Sequence, residues 1–114
     1  MNNQVDYFEI GSPDPTASKA FYGQLFGWDI ADEPSEQGYR SINKIAGGLW
    51  DTSKMGDAKW GIFYVHVDNV EAMVKLAQEY GATIAIPFTS EGGIDFAHLI
   101  DPQGTRFGVW KPTE

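Results

Sequence analysis

The chain has 114 residues, no cysteine, and 16 acidic against 8 basic side chains, for a formal charge of −8. That length supports one core-bearing domain rather than two, the missing thiols exclude disulfides, thiolate metal sites and cysteine nucleophiles, and the negative balance argues against nucleic acid or anionic lipid as a partner. The apolar runs are of strand length, short of the roughly 20 residues a membrane span needs, and Met1-Asn2-Asn3-Gln4 has neither the basic nor the apolar region of a secretory signal, so a cytoplasmic protein is expected.

Val5 to Ile10 reads as a strand, with Phe8 and Ile10 on one face and Val5, Tyr7 and Glu9 on the other, because side chains alternate with period two. Gly11-Ser12-Pro13 turns the chain into a helix bounded by Asp14-Pro15 at its start and Gly27 at its end, since Asp accepts from first-turn amides and glycine takes a left-handed cap freely. Within it Ala17, Ala20, Phe21 and Leu25 form an apolar stripe expected to need cover. Strands are expected at Trp28 to Ala31, Tyr39 to Ile45 and Gly48 to Trp50, and the polar Asp51 to Lys59 as a connector.

A second unit follows. In Ile62 to Val67, the residues Phe63, Val65 and Val67 make an apolar face, and Ile62, Tyr64 and His66 make the other. Asp68 or Asn69 caps a helix that runs through Val70, Met73, Val74, Ala77 and Tyr80 and stops at Gly81. Strands at Thr83 to Ile86, ended by Pro87, at Ile94 to Ile100 and at Thr105 to Trp110 complete it, with Asp101-Pro102-Gln103-Gly104 as the last turn. Asp14 to Gly27 and Asp68 to Gly81 have the same separation, and each follows a strand of the same pattern, which marks an internal repeat. Each unit has one uncovered sheet face, and the space between two such faces is the natural ligand site.

Phe21-Tyr22, Leu25-Phe26-Gly27-Trp28, Val67-Asp68-Asn69-Val70 and Asp101-Pro102-Gln103-Gly104 together resemble the vicinal oxygen chelate superfamily, the glyoxalase, bleomycin-resistance and extradiol dioxygenase-like proteins. Phe8-Glu9-Ile10 and Gly108-Val109-Trp110 make the chain similar to the small bacterial glyoxalase-related members. The resemblance implies an α+β fold: two tandem βαβββ modules, module one at 5–51 and module two at 60–110, forming curved mixed β-sheets around a cleft, one helix per module on the outside. Modules pair within one chain or across a homodimer.

Enzymes of the superfamily hold a divalent metal on the first and last strands of each module, commonly with His, Glu, His and Glu. Here those positions fall on Tyr7, on Ile62 or Gly61, and on Gly108, with a fourth near Leu49, Trp50 or Asp51. Ile and Gly offer no ligand atom, so no metal and no other cofactor is expected; a set built from Glu9, His66 and His98 is the minority alternative.

Glu9 is a candidate acid, base or ligand anchor, or else pairs with Arg40, Lys44 or Arg106. His66 is a candidate proton carrier or a solvated strand-end residue, and His98 is expected to be structural. Tyr7, Trp50, Trp60, Tyr64 and Trp110 are candidate cavity walls beside Ile62, drawn from a chain with 4 Trp, 5 Tyr and 7 Phe, because rings give large apolar contact with a polar tip in Tyr and Trp. The leading expectation is a protein that binds a small aromatic or amphipathic ligand without a catalytic metal. The alternative is a lyase, isomerase or dioxygenase using Glu9, His66 and Asp51, and a third is a dimer scaffold with no ligand.

Overall fold

A computed structural model describes residues 3–113 as seven strands and two helices in an α+β arrangement. The chain divides into two compact units, one of residues 7–61 and one of residues 62–113 together with residues 3–6.

The first unit takes most of β1 (Gln4–Ser12), then α1 (Pro15–Phe26), β2 (Tyr39–Ile42) and β3 (Gly47–Asp51). β1 pairs in parallel with β3, and β3 pairs antiparallel with β2. The strand expected at Trp28 to Ala31 is reduced to an isolated bridge between Ile30 and Ile42. Asp14 caps α1, its side chain accepting the Ala17 N–H at 3.1 Å, and Gly27 ends it at φ 70°, a conformation that costs glycine little. Ile30, Ile42 and Leu49 form the core of this unit, with Phe8, Ile10, Tyr22 and Trp28 packed on it. The stripe expected to be covered on α1 is instead turned outward, with Phe21 and Leu25 each 58% exposed. The face of α1 toward the sheet is set by Tyr22, which stacks on Trp28 at 5.6 Å; a large ring anchored there decides the helix rotation over the smaller Ala17 and Ala20.

The second unit contains most of β4 (Trp60–His66), then α2 (Val70–Glu79), β5 (Thr83–Glu91), β6 (Ile94–Ile100) and β7 (Arg106–Pro112). β4 pairs in parallel with β7, which pairs antiparallel with β6, which pairs antiparallel with β5. Asn69, rather than Asp68, caps α2 by accepting the Ala72 N–H at 2.9 Å. Val67, Val70, Val74, Ala97, Leu99 and Val109 form the core, with Met73 and Ala77 against it. Tyr80 is not in it: as the C-cap residue it is 75% exposed. Phe63 is likewise half out and stacks on Phe107. Pro87 does not end β5. The strand runs on to Glu91, and its pairing with β6 shifts register between Ile84 and Thr89, which accommodates the residue that has no N–H to give.

The two registers match. Glu9 lies opposite Gly48 and Gly11 opposite Trp50 in one parallel pair, as Tyr64 lies opposite Gly108 and His66 opposite Trp110 in the other. The repeat therefore equates Glu9 with Tyr64, Gly48 with Gly108, and Tyr7 with Ile62 rather than Gly61. It places the fourth position on Gly48, one residue before the range expected from the sequence. Among the described residues no helix is long and apolar enough to cross a membrane.

Candidate functional site: a carboxylate enclosed by aromatic rings

In the first unit Tyr7, Glu9 and Gly11 project from the face of β1 opposite Phe8 and Ile10, and in-register Gly48 and Trp50 on β3 and Tyr39 on β2 continue that face. Two glycines leave room for rings to lie on the sheet. A Cβ on Gly48 would stand 1.8 Å from the Tyr39 hydroxyl, and a Cβ on Gly11 would stand 2.5 Å from the Trp60 ring. The side chains close into a circuit. Tyr7 and Tyr39 join hydroxyls at 2.8 Å, Tyr39 meets Trp50 edge-on at 6.2 Å, Trp50 meets Trp60 edge-on at 6.0 Å, and the Trp60 indole N–H donates to the Glu9 carboxylate at 2.8 Å. Glu9 lies beside Tyr7 on the same strand face and is 1% exposed.

A buried carboxylate must be compensated, and among the described residues no buried side-chain N or O atom lacks a hydrogen-bond partner. Burial pushes the Tyr7 hydroxyl above its ordinary value; the hydrogen bond with Tyr39 opposes that rise, and the nearby Glu9 charge adds to it. Arg40, proposed as a partner for Glu9, occupies the other sheet face, where its guanidinium donates to the Ala31 and Asp32 carbonyls. Trp60 also walls a cavity of about 430 Å³ with Ile10, Ser12, Ser18, Tyr22 and Lys59. Asp51 is turned to the following loop, where hydrogen bonds from Ser53 hold its carboxyl below the usual range.

The matching face of the second unit is built differently. The Tyr64 ring lies over Gly108, where a Cβ would meet it at 2.4 Å. Tyr64 hydrogen-bonds His98 Nε2 at 2.6 Å, and the Arg106 guanidinium lies 3.0 Å from His98 Nδ1. Arginine can only donate, so Nδ1 is the acceptor and neutral His98 carries its proton on Nε2 toward Tyr64. His98 is fully buried in this relay. His66 meets Asp6 at 2.9 Å through Nδ1 and lies against Trp110 at 4.8 Å, while the Trp110 indole N–H donates to the other Asp6 oxygen at 2.9 Å. Ile62 is buried.

Of the residues singled out in the sequence, Tyr7, Glu9, Trp50 and Trp60 come together in the first unit. Ile62, Tyr64, His66 and Trp110 belong to the second, where Tyr64 is occupied with His98 and His66 with Asp6. Tyr39, Gly11, Gly48 and Asp6 were missed. Gly48 could have been found by aligning the two last strands on their glycines, but nothing local marks the others.

The positions that enzymes of the superfamily give to metal ligands are occupied here by Tyr7 and Gly48 in the first unit and by Ile62 and Gly108 in the second. Tyr7 brings a hydroxyl already engaged with Tyr39, Ile62 has no donor atom, and the spaces above Gly48 and Gly108 are filled by Tyr39 and Tyr64. Among the described residues no three His, Cys, Asp or Glu side chains cluster as a ligand set.

Known proteins resemble this chain in sequence and in fold. It is 28% identical, over 92% of its length, to the anthracycline biosynthesis protein DnrV of Streptomyces peucetius, and it spans 46% of that relative, about half its length. The hypothetical protein BH1468 of Bacillus halodurans superposes over 100% of this chain and 97% of its own with a TM-score of 0.68 at 16% identity. A variant methylmalonyl-CoA epimerase of Streptomyces coelicolor, solved with 2-nitronate-propionyl-CoA, matches over the full length of both chains with a TM-score of 0.64 at 16% identity. The profile of the glyoxalase-like domain matches residues 7–110, so the chain belongs to the glyoxalase-like family of the vicinal oxygen chelate superfamily.

Proposed function

We propose that this protein binds a small aromatic or amphipathic organic molecule against the ring cluster of its first unit, without a catalytic metal. The observation that carries the reading is the linked set of Tyr7, Tyr39, Trp50 and Trp60 beside buried Glu9, two of them half-buried tryptophans that present rings on one sheet face. Such a face supplies apolar contact with a few fixed polar groups, the usual make-up of a small-molecule site. The relation to an anthracycline biosynthesis protein and the fold shared with an epimerase solved with a bound acyl-CoA analogue agree with a ligand-binding role. Quenching of tryptophan fluorescence by a panel of aromatic compounds tests it. Binding to the natural chain, lost in Trp60→Leu, supports the reading, and no quenching by any member overturns it. Elemental analysis of protein purified without chelator, with thermal melting in added divalent ions, tests the metal-free part: a stoichiometric metal with a rise in midpoint ends it.

A second reading rests on the Asp6–His66 pair. A carboxylate on Nδ1 fixes the tautomer of the ring and leaves Nε2 as a base, the arrangement that proton abstraction from a bound molecule requires. Under this reading His66→Gln loses turnover of a substrate that it still binds.

A further inference from the structure

We infer that the cavity between the end of β1 and the first turns of α1 is a binding site in its own right, and that it takes the carboxylate of a small amphipathic acid. The site does not depend on occupation of the ring cluster. Every residue that lines the cavity belongs to the first unit, and its volume of about 430 Å³ suits a small organic molecule.

The polar groups on the lining have donors to give. Gly11-Ser12-Pro13 leads the chain out of β1, and Ser12, only 6% exposed, accepts the Asp14 N–H at 3.1 Å. The Ser18 hydroxyl, one turn into α1, meets Ser12 Oγ at 2.7 Å. Two hydroxyls that share one hydrogen bond have two protons between them, so whichever donates, one proton is left without an acceptor among the described residues. A donor left over at so buried a place calls for an acceptor. Tyr22 stacks on Trp28 through its ring, and its hydroxyl likewise has no partner among the described residues. Lys59 is exposed, and no carboxylate of the described residues lies within ion-pair distance of its ammonium.

The sign of the charge is equally specific. In a chain with 16 acids and 8 bases, the one charged residue among those lining the cavity is this lysine. The two acids adjacent in sequence to the lining are turned elsewhere, Asp14 to the Ala17 N–H and Glu9 to the Trp60 indole. Hydroxyl and ammonium donors around a positive charge match anionic oxygen, and a carboxylate accepts from several of them at once. Ile10, Pro13, Tyr22 and Trp60 add apolar wall that a bare anion would leave unused, so the acid carries an apolar body.

The test titrates nitrogen-15-labelled protein with 3-phenylpropionate, 3-phenylpropanol and inorganic phosphate, following backbone amide shifts. The acid is expected to move the amides of residues 10–12, 18–22 and 59–61 and to bind about fivefold more tightly than the alcohol, with phosphate moving none of them. In Lys59→Gln the acid is expected to lose that advantage while the alcohol keeps its affinity. Lys75→Gln, which removes an exposed charge from α2, is expected to change neither. An alcohol that binds as well as the acid overturns the inference, and so does an advantage that survives in Lys59→Gln or falls equally in Lys75→Gln. Shifts produced by phosphate alone overturn it in favour of a bare anion site. Shifts gathered at residues 39–50 instead put the acid on the ring cluster, which overturns the separate site and leaves the proposed function standing. No shift with either organic probe overturns the inference too, and the proposed function is then judged by its own fluorescence panel.

Discussion

The two units share register, helix caps and a tyrosine laid over a last-strand glycine, yet they place opposite chemistry on the matching sheet face. In the first the residue opposite the glycine is Glu9, a buried acid hydrogen-bonded by the Trp60 indole; in the second it is Tyr64, bonded to His98, which Arg106 meets in turn. The roofing tyrosine also differs in origin. Tyr39 reaches over Gly48 from a neighbouring strand with its hydroxyl, whereas Tyr64 covers Gly108 with the flat of a ring that is 3% exposed. The backbone plan was kept and the polar groups redistributed, which shows that the fold tolerates either arrangement as long as the glycine is covered.

The sharpest way to break the comparison is to add a methyl group beneath each tyrosine. Gly108→Ala drives a Cβ into the buried Tyr64 ring and is expected to cost about 3 kcal/mol, whereas Gly48→Ala meets the tip of half-buried Tyr39, which can swing away, at about 1 kcal/mol. Chemical denaturation measures both, and equal costs would mean that the two covers are equivalent. Next in size is loss of the hydroxyls. Tyr64→Phe removes the acceptor for the buried His98 N–H and is expected to cost about 2 kcal/mol, while Tyr39→Phe costs about 0.5 kcal/mol at a partly solvated site.

The caps sharpen the likeness instead. Asp14→Ala and Asn69→Ala each remove one side-chain acceptor from a first-turn N–H, so each is expected to lower stability by about 1 kcal/mol. The smallest effect is on titration. Tyr7 ionises above an ordinary tyrosine, so the stability associated with it is complete below about pH 10 and is lost as pH rises through its raised folded value. The phenolate absorbance that disappears in Tyr7→Phe should move to lower pH in Glu9→Gln, because one cause of the rise is gone. No movement would separate Glu9 from the ring layer.

Local chemistry made much of this legible in the sequence. Asp14-Pro15, Gly27 and the Asp101 turn act through neighbours a few residues away and could be read directly, and the cap of α2 was narrowed to Asp68 or Asn69. The alternation in β1 and β4 set which residues share a face, and Tyr7 with Glu9 followed from it. What could not be read depended on competition or on distance. The rotation of α1 was decided by Tyr22 meeting Trp28, a contact that outweighed the more regular stripe of Ala17, Ala20, Phe21 and Leu25. Pro87 was overruled by the long pairing of β5 with β6. The Glu9–Trp60 and His66–Asp6 hydrogen bonds join residues far apart in the chain, and no spacing rule announces them.

The Tyr64 ring over Gly108 limits which side chains the two positions accept together. Any larger side chain at Gly108 puts its first carbon into space the ring already fills. Tyr64 would have to give way first, and its departure takes the partner from buried His98. Enlarging Gly108 therefore requires a change at Tyr64 as well, and either change made alone leaves this unit less stable than the pair now in place.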